Sequence, residues 1–136
     1  IYYLMKKFNF KIYKNNTGSL VPFSLKTNIP FKVKRIFIIF GKKNSIRADH
    51  AHIKCSQFLV PIFGKVIVDY ENKNGKFKKE LSFKKKETLL LKPKTWCRVK
   101  FIHQYSKLMV FCDREYEFND YIEKYNHFLK IIKKKI

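Results

Sequence analysis

Short β-forming segments separated by polar turns recur along most of this chain, and that pattern limits the folds it can adopt. The segment from Val33 to Phe40 is rich in β-branched and aromatic residues, and a turn follows it at Gly41 to Ser45. Asn74-Gly75, between two later segments, is a strong signal for a β-hairpin. Strands at this spacing predict an all-β sandwich or barrel. The predicted strands cover residues 4–13, 20–25, 33–40, the segment around His50 and His52, 57–70 with a break near Pro61 or Gly64, 76–83, 88–91, 96–103 and 107–112.

The last part of the chain changes from a two-residue to a helical period. Its apolar side chains fall along one helical stripe: Tyr121, Ile122, Tyr125, Phe128, Leu129 and Ile132. Asp120, followed three residues later by Glu123, predicts a capping box. The cations Lys133 to Lys135 would be stabilised at the negative, C-terminal end of the helix dipole. We therefore expect a helix over about 119–134 that packs against the outside of a β domain of about 1–115. Because no repeat is visible, residues 1–136 are predicted to form a single domain.

The formal net charge of +21 raises the question of a nucleic-acid partner. Only four of the basic residues are arginines, the lysines are spread along the whole chain, and neither a basic arm nor a recognition motif appears. Basic charge of this kind provides only nonspecific affinity, so no specific nucleic-acid partner is predicted. A positive surface would still attract a small anionic substrate.

Membrane association and secretion are not indicated either. No apolar run approaches the roughly 18 residues that a membrane span requires. The apolar start of the chain is too short for the core of a signal peptide, although the chain does not begin with methionine and we expect that its natural start is missing. Three cysteines, Cys55, Cys97 and Cys112, fit reduced thiols better than a disulfide framework, so a cytoplasmic location is predicted.

Two of the four histidines, His50 and His52, lie one residue apart in a strand-like region. On an extended strand, alternate residues point to the same face and lie about 6.6 Å apart along the chain. Two imidazoles on one face indicate a metal site or a pair of proton-transfer groups. A hydrogen-bonded pair of structural or surface histidines is the alternative that the pattern leaves open.

The spacing of His50, His52, Gln57 and Gly64 resembles the first signature of the cupin jelly rolls, with Gln where many cupins have Glu. More narrowly, the chain resembles the WxcM-like sugar 3,4-ketoisomerases, which act on dTDP-4-keto-6-deoxyglucose. The matching segments cover nearly the whole chain in order: Gly18-Ser19-Leu20, Ile29-Pro30-Phe31, Lys34-Arg35, Arg47, His50-Ala51-His52, Gln57, Pro93-Lys94-Thr95-Trp96, and Asp120-Tyr121-Ile122 with Tyr125 and Phe128.

The chain departs from this family pattern at four places. Thr17 stands where the family usually has Arg, Ile36-Phe37-Ile38 where a Tyr is often found, Asp49 where the residue is apolar or small, and Cys97 where a His follows the Trp. A cupin metal site needs a third His and a carboxylate, whereas Gln57 is a poor ligand and a lone Cys97 would be unusual. We therefore predict no bound metal, and the internally balanced reaction needs no redox cofactor.

The resemblance implies a cupin-type double-stranded β-helix (jelly roll) with a C-terminal helix, and a homodimer. It also implies isomerisation of dTDP-4-keto-6-deoxyglucose to a 3-keto-6-deoxyhexose through an enediol, feeding a 3-amino sugar for a surface glycan. Histidine suits this chemistry because its ordinary pKa is about 6.5. Two alternatives remain, a metal-dependent cupin enzyme and a noncatalytic sugar-nucleotide-binding cupin. The residues expected to act are His52 as the base, His50 as its partner, Arg47 as the first candidate for binding the enediolate or the pyrophosphate, and Gln57, Arg35 and Trp96 as further substrate contacts.

Overall fold

The computed structural model describes residues 9–133, and most of these residues lie in antiparallel strands and the turns between them. The elements in chain order are β1 (Tyr13–Asn15), β2 (Gly18–Leu20), β3 (Arg35–Phe40), β4 (Ile46–His52), β5 (Gln57–Phe63), β6 (Lys65–Asn72), β7 (Gly75–Ser82), β8 (Leu89–Leu91), β9 (Trp96–Phe101), β10 (Lys107–Cys112), β11 (Tyr121–Ile122) and helix α1 (Tyr125–Lys133). The all-β prediction is confirmed.

Two sheets face each other across a shared core. One sheet has the strand order β3-β10-β5-β8, and the other has the order β11-β4-β9-β6-β7. Apolar side chains from both inner faces form a single cluster, among them Leu59, Leu108 and Val110 from the first sheet and Val68 and Val99 from the second. The period of two in strands such as β9 produces this arrangement, because alternate side chains point inward and outward.

The central strands β5 and β10 are buried on both faces. Phe58, Val60 and Phe111 point away from the inner core, and the N-terminal segment covers them with side chains that include Phe10 and Ile29. This segment packs over the outer face of the sheet instead of extending it, and the two strands predicted there are displaced to the short β1–β2 hairpin.

Residues 4–8 of the first predicted strand lie outside the described residues, and residues 9–12 form no strand. The backbone carbonyl of Asn9 accepts a hydrogen bond from the side-chain amide of Asn28. The second predicted strand, 20–25, overlaps the observed one only at Leu20. Pro22 lies just beyond that point, and proline has no N–H to donate to a sheet ladder.

The turns behave largely as predicted. The break in the long segment 57–70 falls at Gly64, where φ is +73° and an added Cβ would collide with the Ser106 hydroxyl. Strands β6 and β7 pair as a hairpin from Asn72 opposite Gly75, with Lys73 and Asn74 as the loop. Strand β10 begins and ends where the pattern predicted, at Lys107 and Cys112.

The C-terminal helix begins at Tyr125 and not near residue 119. Residues 118–120 form one tight helical turn, and Tyr121–Ile122 then pairs with β4. The predicted capping box is wrong because Asp120 is buried among groups of the β domain and accepts its hydrogen bonds there. Helix α1 packs on the outside of the second sheet through Phe128, as the stripe predicted, while Lys134 and Lys135 lie outside the described residues. Within residues 9–133, no helix is long and apolar enough to cross a membrane.

Candidate active site

The two histidines of β4 lie side by side at one end of the space between the sheets. Their ring centroids are 5.1 Å apart and the rings are nearly perpendicular. Ala51, between them, points to the other face and is fully buried beneath the helix. The shared face predicted for His50 and His52 is therefore confirmed.

A β-bulge precedes the pair. Ala48 and Asp49 have φ values of +68° and +60°, a left-handed conformation that non-glycine residues rarely adopt, and Asp49 is an extra residue relative to β9. The bulge sets His50 opposite Cys97 and turns the Asp49 carboxylate outward, where it accepts hydrogen bonds from Trp96 and Arg98. Strain of this kind costs about 1–3 kcal/mol per residue and is concentrated at functional sites.

His52 is paired with a buried carboxylate. Its Nδ1 donates to Oδ2 of Asp120 at 3.1 Å, and both side chains are almost completely buried. Asp120 also accepts from the backbone N–H groups of Lys54 at 2.7 Å and Cys55 at 3.2 Å, which hold the carboxylate in place. With its proton on Nδ1, the neutral imidazole carries its lone pair on Nε2.

The electrostatic surroundings keep both imidazoles neutral near pH 7. Burial, and then the proximity of His52, lowers the pKa of His50 to about 4. Burial also lowers the pKa of His52, and Arg35 adds to this, while the hydrogen bond and charge of Asp120 oppose the change. A neutral imidazole with a carboxylate behind it can accept a proton and stabilise the resulting cation.

Across the barrel, three polar side chains form a row on the inner face of the first sheet. Cys112 of β10 lies opposite Arg35 of β3 and opposite Gln57 of β5 in the strand pairing. Its sulfur accepts from Nη2 of Arg35 at 3.5 Å and from Nε2 of Gln57 at 3.7 Å. The nearby thiol of Cys55, and then Arg35, lower the pKa of Cys112.

Two buried polar atoms at this end of the barrel have no partner among the described residues, Nε2 of His52 and Nε of Arg35. An unsatisfied buried polar group costs about 1–3 kcal/mol, and its presence calls for an explanation such as a catalytic role. Arg35 is close enough for its charge to affect the pKa of His52. Nε2 of His52 can accept a proton, and the N–H at Nε of Arg35 can donate a hydrogen bond. A ligand with an acidic C–H group and an oxygen would therefore satisfy both atoms.

Tyr121 of β11 packs against both imidazoles. Its ring centroid lies 4.3 Å from that of His52 and 5.1 Å from that of His50. Sequence reasoning placed Tyr121 and its neighbour Asp120 in a helix and assigned neither a role at the site. The signal that could have found them is the Asp-Tyr-Ile segment of the family resemblance, which follows the His pair by a long interval.

The structure brings together four of the six predicted site residues, His50, His52, Arg35 and Gln57. Arg47 is exposed at the start of β4, and its side chain has no hydrogen bond or ion pair within residues 9–133. Trp96 points outward from β9, where its ring packs 5.4 Å from Tyr125 and 5.7 Å from Phe128. The bulge in β4 separates Arg47 from the His pair. Trp96 is separated from it because successive side chains of β9 point to opposite faces of the sheet.

One cluster has the donor atoms that a metal ion could use. Atoms of His52, Cys55 and Asp120 lie within 4.8 Å of one another. Each residue already has a hydrogen-bond role, however, since Asp120 accepts from His52 and two amides, and the Cys55 thiol donates to the backbone carbonyl of Ser56. The set considered from the sequence is not assembled, because the Gln57 amide is turned to Cys112 and burial raises the pKa of the neighbouring Cys97 to about 12.

Two facing antiparallel sheets with a histidine pair directed into one end define a cupin-type double-stranded β-helix. The family model described as FdtA: WxcM-like, C-terminal matches residues 4–133, and the chain belongs to this family.

Known proteins of similar sequence and structure agree with this assignment. The chain is 34% identical over 133 residues to a TDP-4-oxo-6-deoxy-alpha-D-glucose-3,4-oxoisomerase from Aneurinibacillus thermoaerophilus, covering 95% of this chain and 93% of the relative. The sugar 3,4-ketoisomerase QdtA from Thermoanaerobacterium thermosaccharolyticum, solved with TDP, matches with a TM-score of 0.82 and 27% identity, covering 95% of this chain and 94% of that one. A mutant of QdtA in complex with TDP-4-keto-6-deoxyglucose matches with a TM-score of 0.82 and 26% identity, over the same shares of 95% and 94%.

Proposed function

We propose that this chain is a sugar nucleotide 3,4-ketoisomerase that converts dTDP-4-keto-6-deoxyglucose to a 3-keto-6-deoxyhexose. The observation that carries the proposal is the buried His52–Asp120 pair, with a free Nε2, inside a cupin barrel of this family. The relatives named above act on, or are solved with, the same class of TDP-linked 4-keto sugar.

The reaction needs one base and no oxidant. The C4 carbonyl acidifies the C3 proton, and Nε2 of His52 removes it as the electron pair forms the C3=C4 bond of an enediolate. The oxygen on C4 takes up a proton, the hydroxyl on C3 loses one to become the new carbonyl, and a proton returns to C4. The two carbons exchange oxidation state, so the sum is balanced. A positioned base typically contributes about 10² to 10⁴ in rate.

His52 is assigned as the base because only it has a carboxylate behind it. Once protonated, its imidazolium faces Asp120 at hydrogen-bond distance, which stabilises the charge. His50 has no such partner and a pKa of about 4, so it remains neutral and serves as the partner that exchanges protons with the sugar hydroxyls.

Arg35 is the cation that we assign to the enediolate oxygen, in place of Arg47. Its buried Nε lacks a partner and its charge acts on His52, whereas Arg47 is exposed at the edge of β4. A preorganised donor aimed at a developing oxyanion is worth about 10² to 10³ in turnover.

Substrate entry requires a side chain to move, because Nε2 of His52 is shielded from solvent. Tyr121 is half-buried, contacts both imidazoles, and lies next to the exposed ring of Tyr116 at 5.7 Å. We assign the movement to Tyr121.

The proposed assembly is a homodimer of single-domain chains. Strand β3 is at the edge of its sheet, and Ile36, Ile38 and Phe40 on its outer face are 48%, 40% and 70% exposed. An edge strand with a row of exposed apolar side chains can pair with a second copy.

The predicted cytoplasmic location is supported by Cys55, Cys97 and Cys112, which are all free thiols. The 3-keto product suits a following amination toward a 3-amino sugar of a surface glycan.

The decisive experiment follows the sugar by NMR in D₂O. Incubation of the protein with dTDP-4-keto-6-deoxyglucose should replace the C3 proton by deuterium and yield a 3-keto product with deuterium at C4. Binding of the sugar nucleotide without exchange at C3 would overturn the proposal in favour of a noncatalytic binding protein. Exchange that stops on chelation and returns with a transition metal would favour the metal-dependent alternative.

A further inference from the structure

Cys112 occupies the middle of the polar row Arg35–Cys112–Gln57, and no step of the reaction above uses it. Two donors converge on its sulfur, Nη2 of the Arg35 guanidinium and Nε2 of the Gln57 amide, and the thiol of Cys55 lies close enough to interact with it. The residue is fully buried. A thiol is only a weak acceptor, so two donors on one buried sulfur, one of them cationic, favour the negatively charged form of this group.

The guanidinium of Arg35 is held on several sides. Its charged carbon lies 5.5 Å from the centroid of the Phe37 ring and 5.6 Å from that of Tyr116, and Nη2 is held by the Cys112 sulfur at 3.5 Å. The guanidinium group is planar, so anchoring one nitrogen also sets the direction of Nε. Nε is the atom that we assign to the enediolate oxygen.

We propose that Cys112 is a positioning residue for the isomerisation, whose sulfur anchors the guanidinium of Arg35 so that Nε faces the substrate beside His52. The inference rests on the proposed function, because it gives Arg35 its task. Loss of the anchor leaves Arg35 in the barrel but allows its planar group to turn between the two rings. The resulting defect falls on the step in which the oxyanion forms.

The charged groups around the sulfur determine how this anchor depends on pH. Arg35 from β3 and Cys55 before β5 contact it, the phenol of Tyr121 from β11 lies near enough to interact, and Asp113 follows it in the chain. The Cys55 thiol, and then Arg35, lower the pKa of Cys112, which favours the thiolate, and the protonated thiol is a weaker acceptor. The anchor therefore weakens as the thiolate takes up a proton.

The test uses Cys112→Ser, which keeps a similar size and an acceptor but cannot ionise in this range, with Cys112→Ala as the second variant. Cys97→Ser is the matched control, because Cys97 is also buried in the barrel but its pKa is raised to about 12. Turnover of both Cys112 variants should fall by about 10-fold or more with little change in KM, since the oxyanion exists only in the transition state. Cys97→Ser should keep the turnover and the KM of the wild type.

A second measurement does not depend on turnover. The ultraviolet absorbance of a thiolate should titrate with a midpoint below the ordinary thiol pKa of about 8.5 in the wild type and in Cys97→Ser, and this transition should vanish in Cys112→Ser. Arg35→Gln should raise the midpoint, because the cation that favours the thiolate is gone. Arg35→Gln combined with Cys112→Ser should be no slower than Arg35→Gln alone, because the guanidinium that Cys112 positions is already absent.

Wild-type turnover in Cys112→Ser, or a midpoint that Arg35→Gln leaves unchanged, would overturn the inference. Failure of the proposed function is recognised separately, as an absence of C3 exchange in a wild-type protein whose thiolate still responds to Arg35.

Discussion

Asp120 accepts a hydrogen bond from Nδ1 of His52 at 3.1 Å, although the two residues are 68 positions apart in the chain. This contact determines which ring nitrogen can act as a base, because the nitrogen that donates to the carboxylate cannot also carry the lone pair. It also distinguishes His52 from His50, whose neighbours include no carboxylate at hydrogen-bond distance among the described residues.

Replacing His52 by Asn removes the base and keeps a similar volume. Turnover should fall by about 10² or more, and exchange of the C3 proton should fall with it, because the side chain supplies general-base catalysis. His127→Asn is the control, since His127 is exposed on α1, away from the barrel. A folded His52→Asn protein with wild-type exchange would show that the base is a different group.

Asp120→Asn tests the pair itself. An amide can donate to Nδ1, which would place the imidazole proton on Nε2, so turnover should fall by about 10² to 10⁴ while the sugar nucleotide still binds. Asp120 raises the pKa of His52, so its removal should move the acid limb of kcat/KM to lower pH. Asp69→Asn is the matched control, because Asp69 is a surface carboxylate paired with Lys78. An unchanged acid limb would mean that Asp120 does not act on His52.

His50 should make the stability of the protein depend on pH. Its pKa is about 4 in the folded state and about 6.5 when unfolded, so between these values the unfolded chain binds the extra proton. The free energy of unfolding should therefore decrease as the pH falls below 6.5, by roughly 3 kcal/mol at most when pH 4 is reached.

Urea titrations of the wild type and of His50→Gln at several pH values would measure this effect. The variant cannot titrate at position 50, so the difference in unfolding free energy between the two proteins should change steadily between pH 6.5 and pH 4. A constant difference across that range would contradict the lowered pKa.

The proposed dimer interface predicts the effect of Ile38→Lys. A lysine on the outer face of β3 would place a charge among Ile36 and Phe40 and should weaken the dimer by at least about 10-fold. Ile46→Lys is the control, because Ile46 is 51% exposed on β4 in the other sheet. Sedimentation at micromolar protein should show one chain for Ile38→Lys and two for the control. If the wild type also sediments as one chain, the proposed homodimer is wrong.

Local features of the fold were predictable where a strand has its own pattern. Strand β10 is a short continuous run of β-forming apolar residues and was predicted with its bounds, and the glycine at position 64 marked the end of β5. The N-terminal strands were misplaced because Phe10 and Ile29 are apolar for another reason, which is that they cover the outer face of the first sheet. Periodicity records that a side chain is buried, and it does not record which surface buries it.

A β protein with a histidine pair on one strand face was predictable, because both properties depend on residues close together in the chain. The chemistry around that pair was not, because it depends on residues that meet only in the folded protein. Folding brought Asp120 behind His52, placed Arg35 and Cys112 opposite, and left Arg47 and Trp96 outside. Hydrogen bonds and charges act over a few ångströms of space, and strands remote in sequence supply those neighbours only after the sheets have paired.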